Sequence, residues 1–268
     1  MDTSPITPAP GLHPEHKSHN GLRWFFAILI GLIIIVGLVI AASYYSHAEQ
    51  MGVTVVRMEG TLVSGNVDDG TSIGSEVVGK ELRDAADDPM AEAIVLRVNS
   101  PGGTPAAAEE IIGDLEYAKT KKPVVVSMGD MATSAAYYVS CHADKIYAEP
   151  DTFTAGIGVL WEFSDISKWN NNEGYNTDVV KSGAFKDMGN PSRPLTADEQ
   201  EYAQKIVNES FEQFINDVTT QRPISRSAIQ DGRVIRGADA LNLNIIDQIG
   251  GINDAIQGAK DLAQKRNY

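Results

Sequence analysis

The sequence predicts an α/β domain with a substantially parallel sheet, preceded by one N-terminal transmembrane helix. Two patterns carry this. From residue 53 onward, apolar β-branched runs alternate with segments of helical spacing. Before them stands a stretch of twenty residues, WFFAILIGLIIIVGLVIAAS at 24–43, without one charge. That is the length an α-helix needs to cross a hydrocarbon core of about 30 Å.

The N-terminal segments follow in order. Residues 1–23 are expected to be a disordered cytoplasmic tail, with His13, His16 and His19 an incidental spacing in a Pro-flanked segment. Residues 24–45 are expected to be a transmembrane signal anchor, with Trp24 and Tyr44–Tyr45 as interfacial aromatics. A cleavable signal peptide is the rival, since Ser46-His47-Ala48 has small-x-small character, but its apolar region normally spans only about 7–15 residues. Lys17 and Arg23 precede the span and Glu49 follows it, which puts the N-terminus in the cytoplasm and the body outside the cell membrane. Residues 46–52 serve as a linker to a domain at 53–268.

In the body, 53–60, 93–100, 123–130 and 145–149 read as strands, and 75–88, 105–119 and 134–143 as helices. A further strand–helix passage is expected at 156–163 and 165–172. Thr196–Thr219 is predicted as a long helix, Thr196 capping it and Glu199 completing a capping box. Short helices broken by glycine fill 225–265.

Charge and residue type narrow the chemistry. The chain carries a net charge of −14, and residues 1–46 cancel, with Asp2 and Glu15 against Lys17 and Arg23. The acidity therefore belongs to the body, which argues against nucleic acid as a partner. One cysteine, Cys141, excludes an internal disulfide and a multi-cysteine metal site. No phosphate loop, dinucleotide fingerprint or zinc-binding helix motif is present, so no cofactor or metal is expected. The body holds two histidines, His47 and His142. His142 lies eight residues past Ser134 on the same predicted helix, about 12 Å along its axis, too far for a Ser-His pair.

Serine with lysine remains. Ser134 emerges from a strand through small residues into the first turn of a helix, beside unsatisfied N–H groups. Taken alone, on spacing, Thr133 or Ser134 reads as a helix cap ahead of a nucleophile. A second strand end, Asn99-Ser100-Pro101-Gly102-Gly103, lies on the same sheet edge, where α/β proteins place their sites.

The string VNSPGG at 98–103, then a helix, then a strand leading into ATSAAYYVS at 132–140, resembles the signal peptide peptidase A (SppA) family. TAGIGV at 154–159, KSGAFKD at 181–187 and DGRVIRGADALNLNIIDQIGG at 231–251 match in order, so the likeness runs from about Val53 to Leu262. The resemblance implies a ClpP/crotonase-like fold and a membrane-bound serine endopeptidase that degrades remnant signal peptides. It maps the nucleophile onto Ser134, the general base onto Lys186 and the oxyanion donors onto the N–H groups of Gly103 and Ala135. It also implies a homo-oligomeric ring in which the serine of one protomer meets the lysine of the next.

Lysine has an ordinary pKa of about 10.4, and burial lowers it toward a neutral amine able to accept the serine proton. Lys181 is the rival base. The family commonly has serine where this chain has Gly156, and Thr154 is a candidate substitute for that hydroxyl. Two other readings share the fold: an inactive membrane scaffold, and an acyl-CoA enzyme, which an external domain disfavours.

Overall fold

The computed structural model describes residues 20–48 and 52–266. Residues 1–19 of the expected tail, with His13, His16 and His19, and Glu49–Met51 of the linker lie outside them, while Asn20–Arg23 and Ser46–Ala48 belong to the first helix. The chain divides into two compact units, with the boundary between Gln50 and Met51. The first contains α1 (Asn20–Ala48). Its window Trp24–Ala41 has a mean hydropathy of 3.0 and none of it is buried in protein, so it is long and apolar enough to cross a membrane.

The second unit opens with β1 (Val53–Glu59), followed by β2 (Thr61–Val63), β3 (Ser72–Gly74) and α2 (Ser75–Asp87). Then come β4 (Ala93–Ser100), α3 (Pro105–Lys121), β5 (Val124–Thr133), α4 (Ala135–Ser140), β6 (Lys145–Ala148) and β7 (Phe153–Ala155). The chain closes with α5 (Ser167–Asn172), α6 (Ala197–Gln221), α7 (Arg226–Ile229), β8 (Val234–Arg236), α8 (Gly237–Asn242), β9 (Gln248–Ile249) and α9 (Ile252–Arg266). The main sheet runs β1-β4-β5-β6-β9, all parallel, while β7 pairs with β5 and, antiparallel, with β8.

Successive strands β1, β4, β5 and β6 are neighbours, each reached through one helix. Right-handed crossovers of this kind put all their helices on one face of the sheet. The burial pattern agrees. Ile94, Leu96, Val98, Val124, Val126 and Met128 join the core beneath α2, α3, α4 and α6. Ala93, Val95 and Val125 face the other way, against Tyr147 and the Ala255, Ala259 and Ala263 face of α9. Both faces of β4 and β5 are thus covered, which is why these strands read as continuous apolar runs. Small residues let α9 lie close; a Cβ on Gly258 would overlap the Tyr147 hydroxyl.

β5 is divided between two partners. Val125–Ser127 pair with β6, and Met131–Thr133 with β7. The register against β4 slips between Val98↔Met128 and Ser100↔Ala132, so β5 carries two extra residues there. A bulge of this kind re-aims the strand end. It sets Ser100 beside Ala132, and so brings the Pro101-Gly102-Gly103 turn against Thr133-Ser134.

The expected strands and helices at 53–60, 75–88, 93–100, 105–119, 123–130 and 145–149 are present within one to three residues. The capping box of α6 forms, Glu199 N–H donating to Thr196 Oγ1 at 3.2 Å and Thr196 N–H to Glu199 Oε2 at 2.9 Å. The strand expected at 156–163 does not form. The strand lies earlier, at β7, and its ladder ends where Gly156 turns to φ +61°.

Candidate active site

The site grows from the carboxyl ends of β4 and β5. Ser134 has φ 55° and ψ −126°, between the last residue of β5 and the first of α4. This is a sharp strand-to-helix elbow, in a region of backbone space that L-residues occupy only when neighbours hold them there. Three bonds hold it. Ser134 N–H donates to Ala155 O at 2.8 Å, Tyr138 N–H donates to Ser134 O at 2.9 Å, and Thr133 Oγ1 donates to Pro101 O at 3.0 Å. The Ser134 hydroxyl makes no capping bond, and Thr133 spends its own on Pro101. Among the described residues neither hydroxyl accepts a bond from a helix N–H, so the cap reading fails at both, and the half-buried Ser134 Oγ has no hydrogen-bond partner.

Gly102 has φ +103°, and its N–H donates to Ser100 Oγ at 3.1 Å. Leu62 of β2 donates its N–H to Gly102 O at 2.8 Å and accepts from Thr104 N–H at 3.0 Å. In a parallel bridge of this form the central residue, Gly103, has its own N–H turned away from Leu62. A Cβ on Gly103 would overlap the Leu62 backbone. Ala135 is the first residue of α4, where helix N–H groups lack intrahelical partners.

Gly103, Ser134 and Ala135 line one recess of about 570 Å³. Three helices turn a face into it: Pro105 and Glu109 of α3, Tyr138 of α4, and Ser210, Gln213 and Phe214 of α6, each set at i, i+3 or i+4 spacing. Val159 and Leu160 of the irregular stretch, with Val234 of β8, complete an apolar wall. Sequence reasoning passed over Tyr138, Glu109 and the α6 face; the Ser210–Gln213–Phe214 spacing was the signal available for the last.

Nearby nucleophiles and bases are otherwise engaged. Cys141 is buried, and that burial pushes its thiol far above the ordinary range, so it stays protonated. His142 is buried with Nδ1 at 3.0 Å from Glu116 Oε1. Tyr138 Oη donates to Asp217 Oδ2 at 2.7 Å, and burial raises its phenol well above the usual value. Thr154 is fully buried and donates to Ala132 O at 3.0 Å. Its hydroxyl is spent inside the ladder, which corrects the expectation that it stands in for a serine at 156.

Comparison with known proteins fits this geometry. The profile described as Peptidase family S49 matches residues 116–266, more than half of the chain. This chain belongs to peptidase family S49. A Methanocaldococcus jannaschii protein named as a protease is 35% identical over 189 residues, covering 69% of this chain and 61% of that protein. Protease 4 of Haemophilus influenzae is 34% identical over 220 residues, covering 80% of this chain and 35% of that protein. Protease 4 of Salmonella typhi is 32% identical over 238 residues, covering 85% and 38%. The chain therefore spans only about a third to three fifths of these relatives' lengths. A solved structure of the 1510-N membrane-bound stomatin-specific protease shares the fold, at TM-score 0.51 and 16% identity over 76% of this chain and 82% of that one. The S49 domain here is thus a ClpP/crotonase-like α/β fold, as the resemblance implied.

The S49 match includes Ser134, Ala135 and Lys186, and begins after Gly103. Lys186 does not join the other three. It sits on an exposed turn at 183–188, its N–H donating to Gly183 O at 3.1 Å, and it does not line the recess of its own chain. Lys181 is tied down, Nζ donating to Asp187 Oδ1 at 2.5 Å and to Ala184 O at 2.9 Å. Arg193 fixes the same turn, bonding Asp187 Oδ1 at 2.8 Å and Glu199 Oε1 at 2.6 Å. Arg193 first, and Lys181 second, hold the Asp187 carboxyl well below the usual range; Arg193 likewise holds Glu199 down to about 2.

Proposed function

We propose that this chain is a membrane-anchored serine endopeptidase working through a Ser-Lys dyad shared between copies. One observation carries the reading: a serine on a strained elbow, without a capping bond from its hydroxyl, that lines one apolar recess together with Gly103 and Ala135. Ser134 Oγ attacks the scissile carbonyl as its proton passes to a lysine amine. The resulting oxyanion accepts from Gly103 and Ala135 N–H. Collapse expels the amine leaving group, which takes the proton back from lysine, and water then hydrolyses the acyl-serine by the same route.

Lys186 of a neighbouring copy is the proposed base. Among the described residues, no lysine or histidine lines the recess within one chain. Between residues 160 and 185 the surface exposes Leu160, Trp161, Trp169, Tyr175, Val180 and Phe185, an apolar content that favours contact with another protein surface. A closed homo-oligomeric ring built on that segment would bring Lys186 to the next Ser134 and strip its water, which favours a neutral amine. The apolar α1 supports a single-pass anchor, with the N-terminus cytoplasmic and the catalytic domain extracytoplasmic. Apolar peptides left in the bilayer after preprotein processing, remnant signal peptides, are the proposed substrates.

A fluorophosphonate probe tests the chemistry. It should label the full chain in detergent micelles at Ser134 and leave Ser134→Ala unlabelled. A folded, assembled wild-type chain that takes no label would instead favour the inactive-scaffold reading.

A further inference from the structure

The recess beside Ser134 is not uniformly apolar. Its walls are Tyr138, Phe214 and Val159, but Glu109 also lines it, and among the described residues no lysine, arginine or histidine does. Glu109 accepts one hydrogen bond, from Gln213 Nε2 at 2.7 Å to Oε1. Among the described residues its second oxygen has no partner, and it takes part in no salt bridge. Tyr138 has already given its only hydroxyl proton to Asp217, so toward a ligand its oxygen offers lone pairs. The recess therefore combines an apolar wall with acceptors and a single negative charge.

A long aliphatic stem ending in a cation matches that arrangement, because Lys and Arg bury their methylenes while the charged head seeks acceptors. We infer that the recess receives a lysine or arginine side chain of the substrate residue preceding the scissile bond, with its stem against Tyr138, Phe214 and Val159 and its head at Glu109. The inference rests on the peptidase reading above and names its substrate class. Glu109 is exposed, so its contribution is that of a surface charge pair, a modest and salt-sensitive preference.

The test uses the full chain in micelles and four peptides identical but for that residue: Lys, Arg, norleucine or Glu. At low salt, kcat/KM for Lys should exceed that for norleucine by about three- to five-fold, with Glu the poorest. In Glu109→Gln the Lys-to-norleucine ratio should fall to within about two-fold. Binding of the same peptides to Ser134→Ala, followed by fluorescence anisotropy, should keep the wild-type order. A wild-type enzyme that cuts norleucine as well as Lys overturns the inference, as does a Lys advantage intact in Glu109→Gln. Ordered, Glu109-dependent binding without cleavage would leave the inference standing and remove the peptidase reading. Cleavage without that order would do the reverse.

Discussion

Gly102 packs directly against Ser134: a Cβ built on Gly102 would stand 2.8 Å from the Ser134 Cβ, and as close to Thr133 O. The absent side chain is what lets the turn after β4 touch the elbow after β5. Gly102→Ala must therefore separate the two strand ends, besides placing alanine at φ +103°. Strain of this kind costs about 1–3 kcal/mol. The variant should fold with a lowered Tm and lose at least about 100-fold in Ser134 labelling rate, the scale of a lost oxyanion donor. Labelling at the wild-type rate would show that the contact is irrelevant to the site.

Shared catalysis makes a prediction that no single variant tests. Ser134→Ala and Lys186→Ala chains should each be inactive, yet co-expression in equal amounts should restore about a quarter of the sites. A site built within one chain recovers nothing, because every chain lacks one partner. Mixed assemblies that stay dead, with co-assembly verified by differential tags, would refute the arrangement.

The two lysines of the turn should behave differently. Lys186→Ala should lower kcat/KM by about 10²–10⁴-fold, the usual contribution of a general base. Lys181 is already bonded to Asp187 and Ala184 O, and Asp187 keeps Arg193 when it is removed. Lys181→Ala should cost less than about ten-fold. Steady-state kinetics on one peptide ranks them, and a reversed order would move the base to Lys181.

Arg193 predicts an acid-sensitive contribution to stability. Glu199 has its carboxyl lowered from an ordinary 4.5 to about 2, and Asp187 is lowered too, both through Arg193 first. Groups depressed in the folded state stabilise it fully above their unfolded pKa and lose that contribution as pH falls toward the folded one. The Tm should therefore drop as pH goes from about 4.5 toward 2. Arg193→Met should be less stable at pH 7 and show a shallower drop across that window. Parallel melting curves for the two chains would expose no difference between them if the cluster were energetically idle.

Topology is open to a direct check. With the body extracytoplasmic, protease added to spheroplasts should degrade it and spare the segment before Trp24. Removal of that N-terminal segment alone would invert the assignment.

The fold was legible where burial on both faces makes a strand continuously apolar, as in β4 and β5, and where capping chemistry is explicit, as at Thr196 and Glu199. It was not legible in β2, β3, β8 and β9, two or three residues long and too short for any periodicity. GIGVLWEF misled because its apolar residues are there for other purposes: Ile157 fills the core, Val159 lines the recess and the largely exposed Leu160 stands at its edge. Ser134 was reachable only as one of two readings, since its dihedral angles, not its neighbours in sequence, separate nucleophile from cap. Gly156 stands at φ +61°, with a built Cβ 3.4 Å from Ser134 N, so the place where relatives' resemblance suggested a hydroxyl abuts the elbow itself.

The dihedral angles of Ser134 also limit what can ever replace it. A branched Cβ is confined to few rotamers and is poorly tolerated at positive φ. Threonine, chemically the nearest alcohol, is therefore poorly tolerated at this elbow, while cysteine keeps serine's unbranched shape. Over generations of mutation, the position can drift from oxygen to sulfur more easily than from one alcohol to another.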